Sequence, residues 1–262
     1  MNSLARYDSM VFAHQYEYIK GRKPFDGDIE YYCERVRGVT GEVLEFGCGT
    51  GKIALKLAEN GIRVLGVDNA PSMIEIAKEK LEKEIWKDRV NFQVSDITKF
   101  YSESRYDRII MPGNVIYFIE NDSIEQFIES LTGLLNDNGR VSFDFTRPVS
   151  GRYKKVGDPP WSDLLYLPEL DKTVRWKMAV YPNRTLREVI YRYQWEVTDN
   201  STHRVDLPSS SFRFSSLSFE DYHRLFIKHG FALTDKEERP SERDGEGERH
   251  FFLEYGRRRD IG

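Results

Sequence analysis

Glu45 and the glycines at positions 47, 49 and 51 are the residues of this chain whose types and spacing most clearly carry chemistry. They lie in the run Val43-Leu44-Glu45-Phe46-Gly47-Cys48-Gly49-Thr50-Gly51, an apolar strand that breaks into a glycine turn and opens a helix. Glycine takes positive φ without a Cβ clash and lets a ligand approach the backbone, and the start of a helix offers N–H groups that no carbonyl satisfies. Such a turn is a nucleotide-cofactor site. Its spacing separates the ligands. A dinucleotide fingerprint needs glycine three residues after Gly49, where this chain has Lys52, and a carboxylate two residues ahead of the first glycine suits a cation better than a pyrophosphate.

The following segments extend the same site. Ile62–Val67 is a second apolar strand ending in Asp68, about twenty residues beyond the glycines, where an acid can accept both ribose hydroxyls. Asn69-Ala70-Pro71-Ser72-Met73 turns into a helix with Pro71 in its first turn and Met73, Ile76, Ala77 and Leu81 on one face, which lets Met73 lie against an adenine. A third strand, Val90–Val94, leads to Ser95-Asp96-Ile97, with Asp96 suited to accept from the adenine amino group, and a fourth, Tyr106–Met111, ends in Pro112-Gly113-Asn114. An adenosyl ligand carrying a sulfonium and an ammonium group, S-adenosylmethionine (SAM), meets all of these requirements.

Through Glu45–Gly51, Val67-Asp68, Ser95-Asp96-Ile97 and the Asn138-Gly139 turn, the chain resembles the class I SAM-dependent methyltransferases over residues 40 to 146. The resemblance implies that Glu45, Gly47, Gly49, Asp68, Met73, Asp96 and Ile97 hold SAM and that S-adenosylhomocysteine is the product. Cys48, Asn69 and Pro112 complete the expected cofactor set. Two other readings stand beside this one: a nicotinamide-dependent oxidoreductase on a Rossmann-like fold, and a non-catalytic binding module.

The positioning elements follow from periodicity. Ile124, Phe127, Ile128, Leu131, Leu134 and Leu135 recur at helical spacing up to the Asn136–Gly139 turn, and Arg140–Phe145 is strand five. Five alternating β and α units predict an α/β, doubly wound, mostly parallel Rossmann-like sheet, seven-stranded once the closing strands at 231–234 and 250–255 are added, with ligands beyond the carboxyl ends of its strands. Residues 235 to 249 read as an exposed loop. Between 150 and 216 the pattern changes: Val174, Trp176, Met178 and Val180, then Val189, Tyr191, Tyr193, Trp195 and Val197, alternate with more polar residues, which is antiparallel hairpin patterning, and Phe212 and Phe214 suggest another strand. An aromatic sheet face must cover something: the cofactor domain, a substrate, or a second subunit in a homodimer.

Residues 1–39 contain two helical segments and are expected to form an N-terminal helical lid, followed by a SAM-binding domain over 40–149 and 217–262 and a β insertion over 150–216 that serves as substrate cover or dimer interface. Tyrosines 7 and 16 face either substrate or sheet. The whole layout resembles the small-molecule N-methyltransferases that act on amino sugars or amino acids, which implies methyl transfer to nitrogen or oxygen of a small acceptor. Candidate catalytic groups are Asp144, within Phe143-Asp144-Phe145, and the histidines His14 and His203; candidate substrate contacts are Tyr7, Tyr16, Asn114, Tyr117 and Arg147. Asp144 is either a buried acid with local partners or a group aimed at an amine.

Composition bounds the partners. A net charge of −4 gives no general attraction for phosphate backbones, so nucleic acid is not an expected partner. No apolar run approaches the ~20 residues of a membrane span, and the first residues lack a signal-peptide core, so the expectation is a cytoplasmic protein without membrane association. Cys33 and Cys48 predict neither a disulfide framework nor a metal site, and no histidines and acids show ligand spacing.

Overall fold

The computed structural model describes residues 3–22, 28–148, 155–198, 204–206, 209–240 and 248–257. The chain divides into two compact units, Met1–Pro24 with Tyr153–Ser216 and Phe25–Arg152 with Leu217–Gly262. Residues 1–39, expected as one lid, are therefore shared between them: helix α1 (Ser3–Arg22) belongs to the smaller unit and α2 (Asp28–Arg35) to the larger.

The larger unit is built on strands β1 (Glu42–Phe46), β2 (Arg63–Asp68), β3 (Val90–Val94), β4 (Tyr106–Met111) and β5 (Leu135–Pro148), paired in parallel, with β11 (Phe231–Pro240) and β12 (Glu248–Arg257) closing one side. The order is β11-β12-β5-β4-β1-β2-β3, and β12 runs antiparallel to both of its neighbours. Both faces are covered, as parallel strands require. On one face, Tyr31 and Tyr32 of α2, Ile53, Ala54 and Leu57 of α3 (Lys52–Glu59), and Ile74 and Ala77 of α4 (Pro71–Leu81) form a core with Val43, Val64, Val90 and Phe252. On the other, α5 (Ile124–Leu134) and α6 (Phe219–Lys228) pack aromatics on the sheet, with Phe46 and Phe127 ring centroids 5.8 Å apart and Phe143 and Phe226 5.2 Å apart. A capping box, Ser218 with Asp221, starts α6.

Two boundaries differ from the sequence expectation. Asn136–Gly139 do not form a separate turn: β5 begins at Leu135, opposite Tyr106, and resumes pairing at Arg140, opposite Arg108, so the residues between bulge from the ladder. Residues 235–240 and 248–249, expected in an exposed loop, extend the closing hairpin as strand. The charged residues there alternate along strands, with one side toward solvent, and charge alone disguised the period of two.

The smaller unit is a sheet of β6 (Leu165–Leu167), β7 (Lys172–Asn183), β8 (Glu188–Thr198), β9 (Arg204–Asp206) and β10 (Ser210–Ser215), ordered β10-β8-β7-β6 with β9 paired to β8. The hairpin expected at 174–197 is present, with Trp176 opposite Trp195, and the strand expected at Phe212 and Phe214 is β10. What covers the aromatic face is α1. Val11 packs with Leu167, Val174, Trp195 and Val197, Phe12 lies 5.9 Å from the Trp195 ring, and Trp195 Nε1 donates to Gln15 Oε1 at 2.8 Å. The partner that the aromatic face requires is thus supplied within its own unit. Among the described residues, no helix is long and apolar enough to cross a membrane.

Because Trp195 fills the centre of this layer, Trp195→Ala is expected to lower stability by about 3–5 kcal/mol in urea unfolding. Trp195→Phe keeps most of the ring but leaves the Gln15 acceptor without its donor, at a cost of about 1–3 kcal/mol. Losses below about 0.5 kcal/mol for both would show that α1 does not seat on this face.

Candidate cofactor site

The glycine turn joins the carboxyl end of β1 to the start of α3. Gly47, Gly49 and Gly51 have φ of 68°, 54° and 79°. The turn is held to β2 by the Gly47 and Cys48 amides, which donate to Val67 O at 2.7 and 3.1 Å. A Cβ on Gly47 would stand 2.3 Å from Val115 Cγ2, and one on Gly51 2.8 Å from Phe92 Cζ, so neither conformation nor space admits a side chain. Gly51 caps α3 in the left-handed conformation, without a side-chain cap on the helix start.

Three buried or half-buried acids surround this turn. Glu45, at the end of β1, is 2 % exposed; the Ala54 amide donates to it, and its Oε2 has no hydrogen-bond partner. Burial, with the charges of Asp68 and Asp28 adding to it, pushes its pKa up to about 8. Asp68 accepts from Gly49 N and Ala70 N, each at 2.9 Å, and burial raises its pKa against these amides. Asp28, at the start of α2, is buried; burial raises its pKa although Lys52 Nζ lies 3.1 and 3.3 Å from its two oxygens. A buried carboxyl oxygen without a partner makes Glu45 a candidate to meet a donor on a ligand.

The other expected cofactor residues take up the positions their elements give them. Met73 is buried in the first turn of α4, Asn69 is exposed just before it, and Pro112 is buried after β4. Asp96 accepts from Thr98 N at 2.9 Å and Thr98 Oγ1 at 2.7 Å, which holds its pKa below the usual carboxylate range and fixes half-buried Ile97 beside it. Cys48 is buried, and burial raises its thiol well above the ordinary value, so it lines the turn as an uncharged group.

The expected catalytic and substrate residues scatter more widely. Asp144 is fully buried and accepts from Tyr32 Oη at 2.6 Å, Gly113 N at 2.7 Å, His250 Nε2 at 2.8 Å and Asn114 N at 3.3 Å. Burial alone would raise its pKa; the bonds and charge of His250, with Tyr32 and Gly113, outweigh that and lower it. Of its two sequence readings, the geometry matches the buried acid with local partners. Asn114 and Tyr117 are engaged as well: Asn114 Oδ1 accepts from Thr146 N, and Tyr117 Oη donates to Thr146 O, each at 2.7 Å. Arg147 is half-buried on β5 opposite Arg249. His14 and Tyr16 are half-buried on α1 in the smaller unit. Tyr7 lies on α1 with its side chain outside the described residues, as does the whole of His203.

Sequence reasoning missed Asp28, Lys52, Tyr32 and His250 as site residues. The one available signal was His250 itself, a polar residue heading the apolar run Phe251-Phe252-Leu253 on a buried strand.

Gly49→Val and Asp68→Ala are each expected to abolish measurable SAM binding in calorimetry while circular dichroism shows a folded chain. The raised pKa of Glu45 means that it carries a proton at neutral pH and becomes an anion as pH rises through about 8. SAM affinity of the wild type relative to Glu45→Gln is therefore expected to grow from pH 6 to 9, the ratio cancelling the ligand's own titration. The same shift makes the ligand-free protein lose stability through this group as pH rises from about 4.5 to about 8, because the folded form binds the extra proton.

Comparison with known proteins agrees with this geometry. Residues 43–139 match the family model described as a methyltransferase domain. A putative methyltransferase of Geobacillus sp. (strain WCH70) is 25 % identical over 252 residues, covering 92 % of this chain and 97 % of that protein. Among solved structures, a SAM-dependent methyltransferase from Clostridium acetobutylicum superposes with a TM-score of 0.72 at 17 % identity, over 95 % of this chain and 98 % of the other. The sugar N-methyltransferase KedS8 from Streptoalloteichus sp. gives 0.68 at 17 %, over 93 % and 91 %. These matches support a SAM-dependent methyltransferase over the nicotinamide-dependent and non-catalytic readings: residues 43–139 match a methyltransferase domain, and the fold is that of the solved methyltransferases.

Proposed function

We propose that this methyltransferase acts on a nitrogen of a small amino-bearing acceptor of the amino-sugar class. The observation that carries the choice of nitrogen is the state of Asp144: the acid at the carboxyl end of β5 that would serve as base is occupied by four donors from its own chain. A hydroxyl acceptor gains from a base positioned to take its proton, whereas an amine that arrives deprotonated needs none. The amino-sugar class is supported by the antiparallel insertion after β5 and by the likeness to the sugar N-methyltransferase KedS8.

When bound, SAM supplies an electrophilic methyl group on a positively charged sulfur. The chain's own part is positioning and charge. Glu45, Asp68 and Met73 are the groups suited to the ammonium, the ribose hydroxyls and the adenine, and the glycine turn lets backbone approach them all. Holding two reactants in contact geometry can supply ~7 kcal/mol or more of the barrier, and this demands a rigid pocket rather than a reactive side chain. The acidic surroundings also favour acceptors that carry positive charge before they lose their proton.

Incubation with deuteromethyl-labelled SAM and matched amino and hydroxy sugar nucleotides, followed by mass spectrometry, is expected to label the amino member of each pair. The rate should fall at low pH with the acceptor's own amine pKa, and the midpoint should move when an amine of different basicity is used. Labelling confined to the hydroxy compounds, or a pH profile indifferent to the acceptor, would overturn the proposal.

A further inference from the structure

Asp144 spends its lone pairs on an unusual set of donors. Phe143 and Phe145 flank it on β5, and a carboxylate buried in such a strand is costly unless charge-assisted hydrogen bonds meet it on all sides. Here they come from three other parts of the larger unit: Tyr32 on α2, the successive amides of Gly113 and Asn114 after β4, and His250 on β12. Since a carboxylate only accepts, His250 Nε2 bears the hydrogen. The ring is 9 % exposed and packs 4.2 Å from Phe252.

The two amides belong to a turn with no freedom to stand elsewhere. Asn114 has φ 67°, an uncommon conformation for a residue with a Cβ, and its side chain reaches back to Thr146 N, while Tyr117 is tied to Thr146 O. Between them lies Val115, the residue whose methyls would meet any Cβ on Gly47. A shift of the turn after β4 is thus a shift of the wall against which the cofactor's glycine turn is built.

We infer that Asp144 and His250 act together as positioning residues: the carboxylate, oriented by the imidazole, fixes the Gly113–Val115 turn and through Val115 sets the shape of the cofactor pocket at Gly47. This rests on the methyltransferase reading above and adds to it a pair that never touches the reacting atoms. His250 orients the carboxylate so that both backbone amides can reach it. Tyr32 brings α2 into the same arrangement, so that one acid fastens four segments.

The test uses the full chain, with S-adenosylhomocysteine as probe in calorimetry and hydrogen exchange read at the Gly113 and Asn114 amides. His250→Phe keeps a ring but loses the donor, and is expected to weaken S-adenosylhomocysteine binding at least about tenfold and to speed exchange at both amides. His250→Gln keeps an N–H donor and should restore affinity to within about threefold of wild type. Asp144→Asn should weaken binding at least as much as His250→Phe. A purely structural role would lower the melting temperature of these variants without changing affinity at temperatures where they are folded. Folded His250→Phe with wild-type affinity and unchanged exchange overturns the inference, as does His250→Gln behaving like His250→Phe. Should Asp144→Asn not fold, the two His250 variants carry the test alone. Absence of S-adenosylhomocysteine binding by the wild type would instead overturn the methyltransferase reading, while the exchange measurements would still decide the role of the pair.

Discussion

Acids kept out of water govern the arrangement of this protein's catalytic unit. Asp28, Glu45 and Asp144 are buried, and Asp68 is half-buried, around the carboxyl ends of the parallel strands of one mixed sheet. Like charges in such surroundings raise one another's pKa values and destabilise the fold unless donors or cations meet them. Asp28 is met by Lys52, Asp68 by the backbone of the turns it joins, and Asp144 by four donors. Glu45 alone among the four retains a buried oxygen with no partner. The fold has answered three of its acids internally, and the fourth keeps an unpartnered oxygen.

This division separates structure from chemistry within one cluster. The acids with internal partners act as fasteners: Asp68 holds Gly49 against the start of α4, and Asp144 joins α2, β12 and the turn after β4. Such fasteners make the surrounding turns rigid, because each broken bond would strand a charge in a low dielectric. A transferase whose contribution is placement has more use for rigidity than for a reactive side chain. The raised thiol of Cys48 and the occupied oxygens of Asp144 fit that economy of means.

The smaller unit solves a different problem with a different force. Its sheet presents Trp195, Val174 and Leu167 on one face, which water would not tolerate, and α1 supplies Val11 and Phe12 to cover them. Hydrophobic alternation revealed the strands, and an apolar periodicity in the first twenty residues revealed the helix. Nothing in either pattern said that the two were each other's partners, so the cofactor domain, a substrate or a second subunit remained open readings of what covers the aromatic face.

The parts of the protein legible in its sequence are those whose causes are local. Glu45 to Lys52 make a strand, a turn and a helix start within one short run; the positive φ demanded at Gly47, Gly49 and Gly51 is met by glycine itself, and the βα spacing places Asp68 and Asp96 at successive strand ends. That was enough for the cofactor and the order of elements. Tertiary structure alone decided what the acids do. Lys52 meets Asp28 across 24 positions, and Asp144 meets His250 across 106 and Tyr32 across 112, pairings set by which strands lie side by side. Charge and hydrogen-bonding capacity are properties of a residue, but whether they are spent on the chain or remain for a ligand depends on distances that only the folded sheet defines.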